Sequence, residues 1–371
     1  MAIIELHILQ NVAPSNLNRD DTGAPKNCVF GGYQRARISS QALKRAMRTA
    51  FREGSTLPTQ SLGVRTKRLV EQLEKAFVDA GKDEGEAVAV AERTVQGLGL
   101  GLDGEKTQYL LFMGREVIDQ LAAVGLARWE ALVALPAGGG KKGKADVPKV
   151  VQEELGAALE RNRAADVALF GRMLADLPAQ NVDAASQVAH AISTHEVNPE
   201  FDFYTAVDDL NPEDTAGAGM MGTIEYNSAC FYRYLNVDRA QLLENLNGDE
   251  ALASRALAAF VDAAIRALPT GKQNSFAAHN PPSFVLAVVR PSGFENLANA
   301  FMTPIRPSRQ QNLVQRSVEE MVKEREKLAH MYASPAPTGS WVATTEDMDV
   351  PGAQRVSVPE LIEAVVTGTT A

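Results

Sequence analysis

The order in which apolar periodicities change along this chain constrains its fold more than any single motif does. Ile3-Ile4-Glu5-Leu6-His7-Ile8-Leu9 is a short run rich in β-branched residues with partial alternation, which predicts a strand. A polar loop from Asn11 to Gln34 follows, loosened by Pro14, Gly23, Pro25 and the pair Gly31-Gly32. Ser39 or Ser40 then caps a helix whose stripe of Ala42, Leu43, Ala46, Met47 and Ala50 must lie on a core. Amphipathic helices are expected over Leu62–Ala80, Asp83–Val95 and Glu116–Leu135, with strand-like runs at Thr107–Phe112, Val167–Phe170 and Ile224–Tyr234. A helix over Ala251–Leu268 and a strand over Ser283–Arg290 complete this part. Beyond them come a long polar helix, Gln310–Met331, a short strand around Trp341-Val342-Ala343, and a last helix near Pro359–Val366.

Stripped of insertions, the order is strand, helix, strand, strand, helix, strand. That is the split βαβ arrangement of RRM-type and ferredoxin-like domains, an α+β class. At 371 residues the chain calls for two domains, or for one core with sizeable insertions. Its hydrophobic fraction of 45% is enough to build a core. No apolar run approaches the length of a membrane span and Met1-Ala2-Ile3-Ile4-Glu5 lacks the pattern of a signal peptide, so a soluble, cytoplasmic protein without a membrane partner is expected. Cys28 and Cys230 stand far apart with no C-x-x-C spacing, which predicts neither a disulfide framework nor a zinc site.

The net charge of −9 argues, as an average, against a nucleic-acid partner, because phosphates are bound by Lys and Arg. The average hides a patch. From Thr22 to Arg52 every charge is basic: Lys26, Arg35, Arg37, Lys44, Arg45, Arg48 and Arg52. Within Gln41-Ala42-Leu43-Lys44-Arg45-Ala46-Met47-Arg48, Lys44 and Arg48 lie one helical turn apart, with Gln41 and Arg45 on adjoining faces. Such a rail suits a phosphodiester backbone, to which Arg offers a planar fork and a capped helix start adds amide donors. A merely solvated basic face is the even alternative on this segment alone.

Other motifs are weaker. Gly138 to Lys144 fits G-x-x-x-x-G-K, but Ala145 replaces the Ser or Thr that holds magnesium and Pro148 opposes a following helix. Gly99-Leu100-Gly101-Leu102-Asp103-Gly104 fits G-x-G-x-x-G but precedes a strand instead of following one. No nucleotide cofactor is expected from either. Asn18-Arg19-Asp20-Asp21 sets two carboxylates beside an Arg, open both to a metal that activates water and to plain turn capping. The five histidines carry no zincin pattern, and no metal is expected. Asp202-Phe203-Tyr204-Thr205 leads through small residues to the Ile224 strand, as in a projecting hairpin. Its aromatics fit either base stacking or a core, and Met173 carries the same ambiguity.

Taken together, Leu17-Asn18-Arg19-Asp20-Asp21, Phe30-Gly31-Gly32, Arg37-Ile38-Ser39-Ser40-Gln41 with Leu43-Lys44-Arg45-Ala46-Met47-Arg48, Ala168-Leu169-Phe170-Gly171-Arg172-Met173, Thr194-His195-Glu196-Val197, Thr205-Ala206-Val207-Asp208-Asp209 and Lys272-Gln273-Asn274-Ser275-Phe276-Ala277-Ala278-His279-Asn280 resemble one family. It is the CasC-type backbone subunit of the type I-E CRISPR Cascade complex, and the motifs run in order to about residue 290. The resemblance implies an RRM-like palm with large helical finger insertions and a β-hairpin thumb. In that scheme residues 1–54 hold the first palm strand and basic helix, and 55–165 a mainly helical finger insertion with a palm strand near 107–112. Residues 166–194 form a palm and finger strand region, 195–223 the thumb, 224–290 the palm strands and second helix, and 291–371 a helical extension closing the palm.

The resemblance further implies a non-catalytic subunit that assembles head-to-tail with copies of itself along a CRISPR guide RNA. With the other Cascade subunits it displays the spacer to a target DNA strand in antiviral defence. The RNA-binding residues implied are Arg19, Lys26, Arg35, Gln41, Lys44, Arg45 and Arg48 with Lys272 and Gln273. Phe203, Tyr204 and Thr205 belong to the thumb, and Met173 packs where the guide kinks. Lys141, Lys142 and Lys144 in the glycine-rich loop are DNA contacts in the loosest sense, since that loop departs from the family pattern. Related subunits of RNA-targeting complexes cut RNA with a loop Asp, which keeps a metal-dependent ribonuclease using Asp20 or Asp21 as the alternative.

Overall fold

The opening strand, β1 (Ile3–Ser15), is buried almost without interruption through Gln10, so it is covered on both faces. A computed structural model describes residues 2–54, 56–136, 147–160, 163–206 and 220–369, and in it β1 is the centre of a mixed α and β fold. Antiparallel to β1 on one side runs the long strand Met220–Asp238, with Ile3 opposite Asp238 and Leu9 opposite Tyr232; on the other side runs Phe284–Arg290. The sheet continues past the long strand through Ala191–Ser193 to β3 (Tyr33–Ile38) and β2 (Asn27–Phe30). Past Phe284–Arg290 it continues through Gly339–Thr344 to Gln354–Arg355.

The alternation of β1 explains how one strand serves two layers. Leu9 joins Tyr232, Tyr234, Phe284, Leu286 and Val288 in a core that also takes Val318 and Met321 from helix Leu313–Tyr332. That face carries a buried polar chain as well. The Tyr232 hydroxyl accepts from Leu297 N (3.0 Å) and shares a hydrogen bond with His7 Nδ1 (2.9 Å). The Tyr234 hydroxyl donates to Glu5 Oε1 (2.6 Å), and Arg290 Nε pairs with Glu5 Oε2 (2.5 Å). On the opposite face Arg233, fully buried, donates to Gln10 Oε1 (2.8 Å) and to the Ala264 carbonyl (2.6 Å) near the end of helix Glu250–Arg266. These polar side chains tolerate burial because each finds a partner.

The chain divides into two compact units. The first holds residues 1–53, 187–239 and 257–371; the second holds 54–186 and 240–256. The second has its own core, in which Leu73, Phe77, Val90, Leu121, Trp129 and Leu155 pack from helices Leu69–Asp79, Glu84–Gly97, Arg115–Ala127, Trp129–Val133 and Lys149–Glu160. The Phe77 and Trp129 rings meet edge to face at 5.4 Å.

Several sequence expectations are corrected here. The strand expected near 107–112 as part of the central sheet is Leu111–Gly114, which pairs with Gly63–Thr66 in a separate two-stranded ribbon of the second unit. Val167–Phe170 is not a strand but the end of helix Ala165–Phe170, closed by Gly171 at φ 77°. Four apolar residues do not distinguish a strand from a helical turn. The segment Asn11–Gln34 is not all loop, since it contains the end of β1 and the β2–β3 hairpin, whose turn glycines both have positive φ. Pro148 does not oppose a helix: one starts at Lys149, where a preceding proline is compatible. Gly99 and Gly104 (φ 86° and 61°) turn the backbone after one helix and within the Leu102–Asp103/Lys106–Thr107 hairpin. No helix among the described residues is long and apolar enough to cross a membrane.

Candidate nucleic-acid interface

The basic helix, α1 (Ser40–Glu53), buries Leu43, Met47 and Phe51 as its sequence stripe requires. Ser39 is its cap, its hydroxyl accepting from Ala42 N (3.3 Å). Gln41 and Arg45 are exposed, while Lys44 and Arg48 are half-buried. What the stripe does not reveal is how the preceding loop is anchored to the helix start. Asn18 Oδ1 accepts from Ser39 N (2.8 Å), and the Asn18 carbonyl accepts from Lys26 N (2.8 Å). The loop carrying Arg19 and Lys26 is thereby tied to the N-terminus of α1, where helix amides and dipole favour anions.

A second loop closes on the first. A side chain at Gly271 would place its Cβ 2.3 Å from the Leu17 carbonyl oxygen, so only glycine permits this approach. Asn280 reinforces it, its Oδ1 accepting from Ala13 N (3.0 Å) and its carbonyl from Gln10 Nε2 (2.6 Å). Lys272 takes a left-handed conformation (φ 52°) at the start of the short helical turn Gln273–Phe276, and Gln273 Nε2 donates to the Ala278 carbonyl (3.2 Å). The loops bearing Arg19, Lys26 and Lys272 therefore form one braced assembly with the start of α1.

Two residues enter that the implied RNA-binding set does not contain. Arg37 donates through Nε to the Asn27 carbonyl (3.1 Å) and through Nη1 to His190 Nδ1 (3.0 Å). Burial, then Arg37 and Lys26, hold the His190 imidazole below its usual range, so it is neutral and can accept. Arg37 was legible as one of the acid-free cations. His190 was not, because only the pairing of Ile38 with Ala191 brings it close.

Arg35 is a correction. Its side chain is fully buried, donating through Nη1 to the Ser193 carbonyl (3.2 Å) and through Nη2 to those of Phe301 (2.7 Å) and Met302 (3.3 Å). It fastens strands and a short helical turn inside the first unit and is not placed to touch RNA. Gly31 belongs to the same junction: a Cβ there would fall 2.0 Å from the Met302 carbonyl oxygen.

Asp20 lies on the exposed tip of the first loop. Its Oδ1 accepts from Thr22 N (2.9 Å), Thr22 Oγ1 (2.8 Å) and Ala24 N (3.0 Å), and the Thr22 hydroxyl bond leads the lowering of its pKa. This is the turn-capping arrangement of an Asp. Asp21 is exposed beside it. Among the described residues no group of three His, Cys, Asp or Glu side chains is placed to hold a metal.

The strand Glu200–Ala206 pairs with the start of Met220–Asp238, Phe203 opposite Thr223 and Tyr204 opposite Gly222. Phe201 and Phe203 share one face and are 66% and 63% exposed, which decides against the core alternative. Tyr204 is on the other face, its ring lying across Gly222, where any Cβ would meet it at 2.4 Å. Thr205 is exposed. At the base His195 Nδ1 donates to the Glu196 carbonyl (2.8 Å) and Nε2 accepts from Cys230 N (3.1 Å), a tautomer kept neutral chiefly by burial. In the second unit Met173 is 81% exposed. Lys141, Lys142 and Lys144, with residues 207–219 beyond the strand, lie outside the described residues.

The family model of the CT1975-like protein matches residues 4–367. The chain belongs to the CT1975-like family, within the Cas7 group. A solved chain from a "CRISPR RNA-guided surveillance complex, pre-nicking" is similar to this CT1975-like chain at 34% identity and TM-score 0.85, covering 98% of this chain and 99% of the other. A chain from a second "CRISPR RNA-guided surveillance complex" is similar at 29% identity and TM-score 0.74, covering 99% and 100%. No curated protein gives a significant match.

Proposed function

We propose that this CT1975-like chain is a non-catalytic backbone subunit that assembles head-to-tail along a CRISPR guide RNA. It displays the spacer for pairing with target DNA in a type I-E Cascade complex. The observation that carries the reading is the bracing of three elements into one cationic face: the Arg19–Lys26 loop tied to Ser39 by Asn18, the Lys272 loop seated on Leu17, and the basic side of α1. Arg19, Lys26, Gln41, Lys44, Arg45, Arg48, Lys272 and Gln273 hold phosphates, and Arg37 joins them. Bases stay outward, so the protein follows backbone shape while the guide supplies sequence. The similar surveillance-complex chains support this reading.

The sheet order supports the palm. Taking β1, Ala191–Ser193, Met220–Asp238 and Phe284–Arg290 as strands one to four, the spatial order is 4-1-3-2 with antiparallel neighbours. With α1 after the first strand and Glu250–Arg266 after the third, this is the RRM-like split βαβ arrangement. The Glu200–Ala206 hairpin is then the thumb, its exposed Phe201 and Phe203 wedging between bases as aromatic side chains do on single strands.

Guide binding measured against salt tests the reading. Replacing Lys44 and Arg48 with Ala should weaken binding of all spacer sequences alike and flatten the log–log salt slope by about 0.7 per lost contact. Losses confined to certain spacers would overturn it. The exposed Asp20–Asp21 tip beside Arg19 keeps a second reading in play, a metal-dependent guided ribonuclease. The assembled, guide-loaded complex given matched RNA and magnesium decides between them: cleavage that disappears in Asp20→Ala or Asp21→Ala would replace the non-catalytic reading.

A further inference from the structure

The bulged end of β1 leaves two polar side chains without partners. Val12 faces Ala229 and Ser15 faces Asn227, so β1 carries one residue more than the long strand opposite it. Such a bulge breaks the regular ladder and re-aims the side chains beside it. Ser15 is 3% exposed and Asn227 8%, yet neither side chain has a hydrogen-bond partner among the described residues. Their polar atoms are nevertheless not sealed from the surface. A hydroxyl and an amide so nearly buried and left unused are costly unless something else pairs with them.

Both residues line one small depression of about 10 Å3. Asn227 and Phe231, four residues apart on the long strand, share a face and both reach it; Asn18, Lys26 and Arg37 line it as well. The size of this space limits what enters to one water-sized oxygen. The chemistry of the lining sets its kind. Ser15 and Asn227 each offer a donor and an acceptor, which matches a hydroxyl, itself both, whereas a phosphate oxygen only accepts. A base edge is too wide. Lys26 and Arg37 at the same depression supply cations for a phosphate next to that hydroxyl. In a nucleic acid, a hydroxyl beside a phosphate is the 2′-hydroxyl of a ribose, the group that tells RNA from DNA.

We propose that Ser15 and Asn227 seat one ribose 2′-hydroxyl of the bound strand, so that this face selects RNA over DNA. The inference rests on the guide-RNA reading and adds to it the sugar on which binding depends.

Fluorescence anisotropy on the full-length chain, comparing a labelled oligouridine with its 2′-fluoro counterpart, tests it. The fluoro strand keeps the sugar pucker of RNA and loses only the hydroxyl. It should bind the parent chain about fivefold more weakly, the worth of one neutral hydrogen-bonded group. Ser15→Ala and Asn227→Ala should weaken oligouridine toward the affinity of the fluoro strand and leave the fluoro strand itself unchanged. Equal affinity of the two strands for the parent chain, a comparison that needs no variant to fold, would overturn the proposal and leave the depression to a resident water only; tight binding of both would still uphold the guide-RNA reading. A parent chain that binds neither strand would overturn that reading and the sugar seat with it. Equal losses for both strands in variants that melt as the parent does would also overturn the seat.

Discussion

At the scale of single residues, His7 and Arg35 show how buried polar groups shape this protein. Burial above all, then Arg325 and Arg290, bring the His7 imidazole down to about 3. The unfolded chain therefore takes up a proton on His7 below pH 6.5 that the folded chain refuses. Stability is complete above that pH and falls as the pH drops from 6.5 toward 3, at about 1.4 kcal/mol per pH unit for this group. Denaturant titrations between pH 6.5 and 5 should show at least that slope, since His190 and His195 are held below their usual range as well and add to it; His7→Gln, which keeps a hydrogen-bonding side chain beside Tyr232, should be flatter by the His7 share. Arg35→Ala belongs at this scale too. It leaves the Ser193, Phe301 and Met302 carbonyls without their donor and should cost about 2–4 kcal/mol. Guide affinity per folded molecule should stay that of the parent, unlike Lys44→Ala; a loss in binding with unchanged stability would return Arg35 to the RNA surface.

At the scale of elements, the cationic face depends on bracing as much as on charge. Asn18→Ala removes no charge, yet it leaves Ser39 N–H without its acceptor and releases the loop that carries Arg19 and Lys26. Guide affinity should fall while the slope of its salt dependence stays parallel to the parent's, because the cations proposed to contact phosphates remain. A changed slope would mean that contacts are lost, not misplaced. The sequence made α1 readable because one helix writes both its apolar stripe and its cationic face within fourteen residues, Ser40 to Glu53. The helices Glu84–Gly97, Leu313–Tyr332 and Val358–Thr367 lie near their expected places for the same local reason. What was not readable depends on partners distant in sequence. Leu111–Gly114 pairs with Gly63–Thr66 and not with the central sheet, Arg35 is fastened to carbonyls at residues 193, 301 and 302, and His190 meets Arg37 across 153 residues. The Gly271 approach to Leu17 likewise has no signature in either segment alone.

For the molecule as a whole, net charge sets the conditions of assembly. A chain of net charge −9 repels its own copies, and the repulsion grows as salt is removed. A guide RNA is also anionic, but the phosphate contacts proposed for it lie on Arg19, the acid-free segment from Thr22 to Arg52 and the Lys272 loop, where basic residues run against the average. The two equilibria should therefore respond to salt in opposite directions. Light scattering of the RNA-free protein should show self-association, if any, rising with ionic strength, whereas guide-loaded assembly should weaken as ionic strength rises. In the proposed head-to-tail assembly, contacts that do not close a ring have no intrinsic end, so the RNA would set its length. Native mass spectrometry with guides lengthened in regular steps should then add whole copies of this chain, one per step of fixed length. A copy number independent of guide length would mean that protein contacts alone determine the assembly, and would leave the basic face of α1 without the role proposed for it.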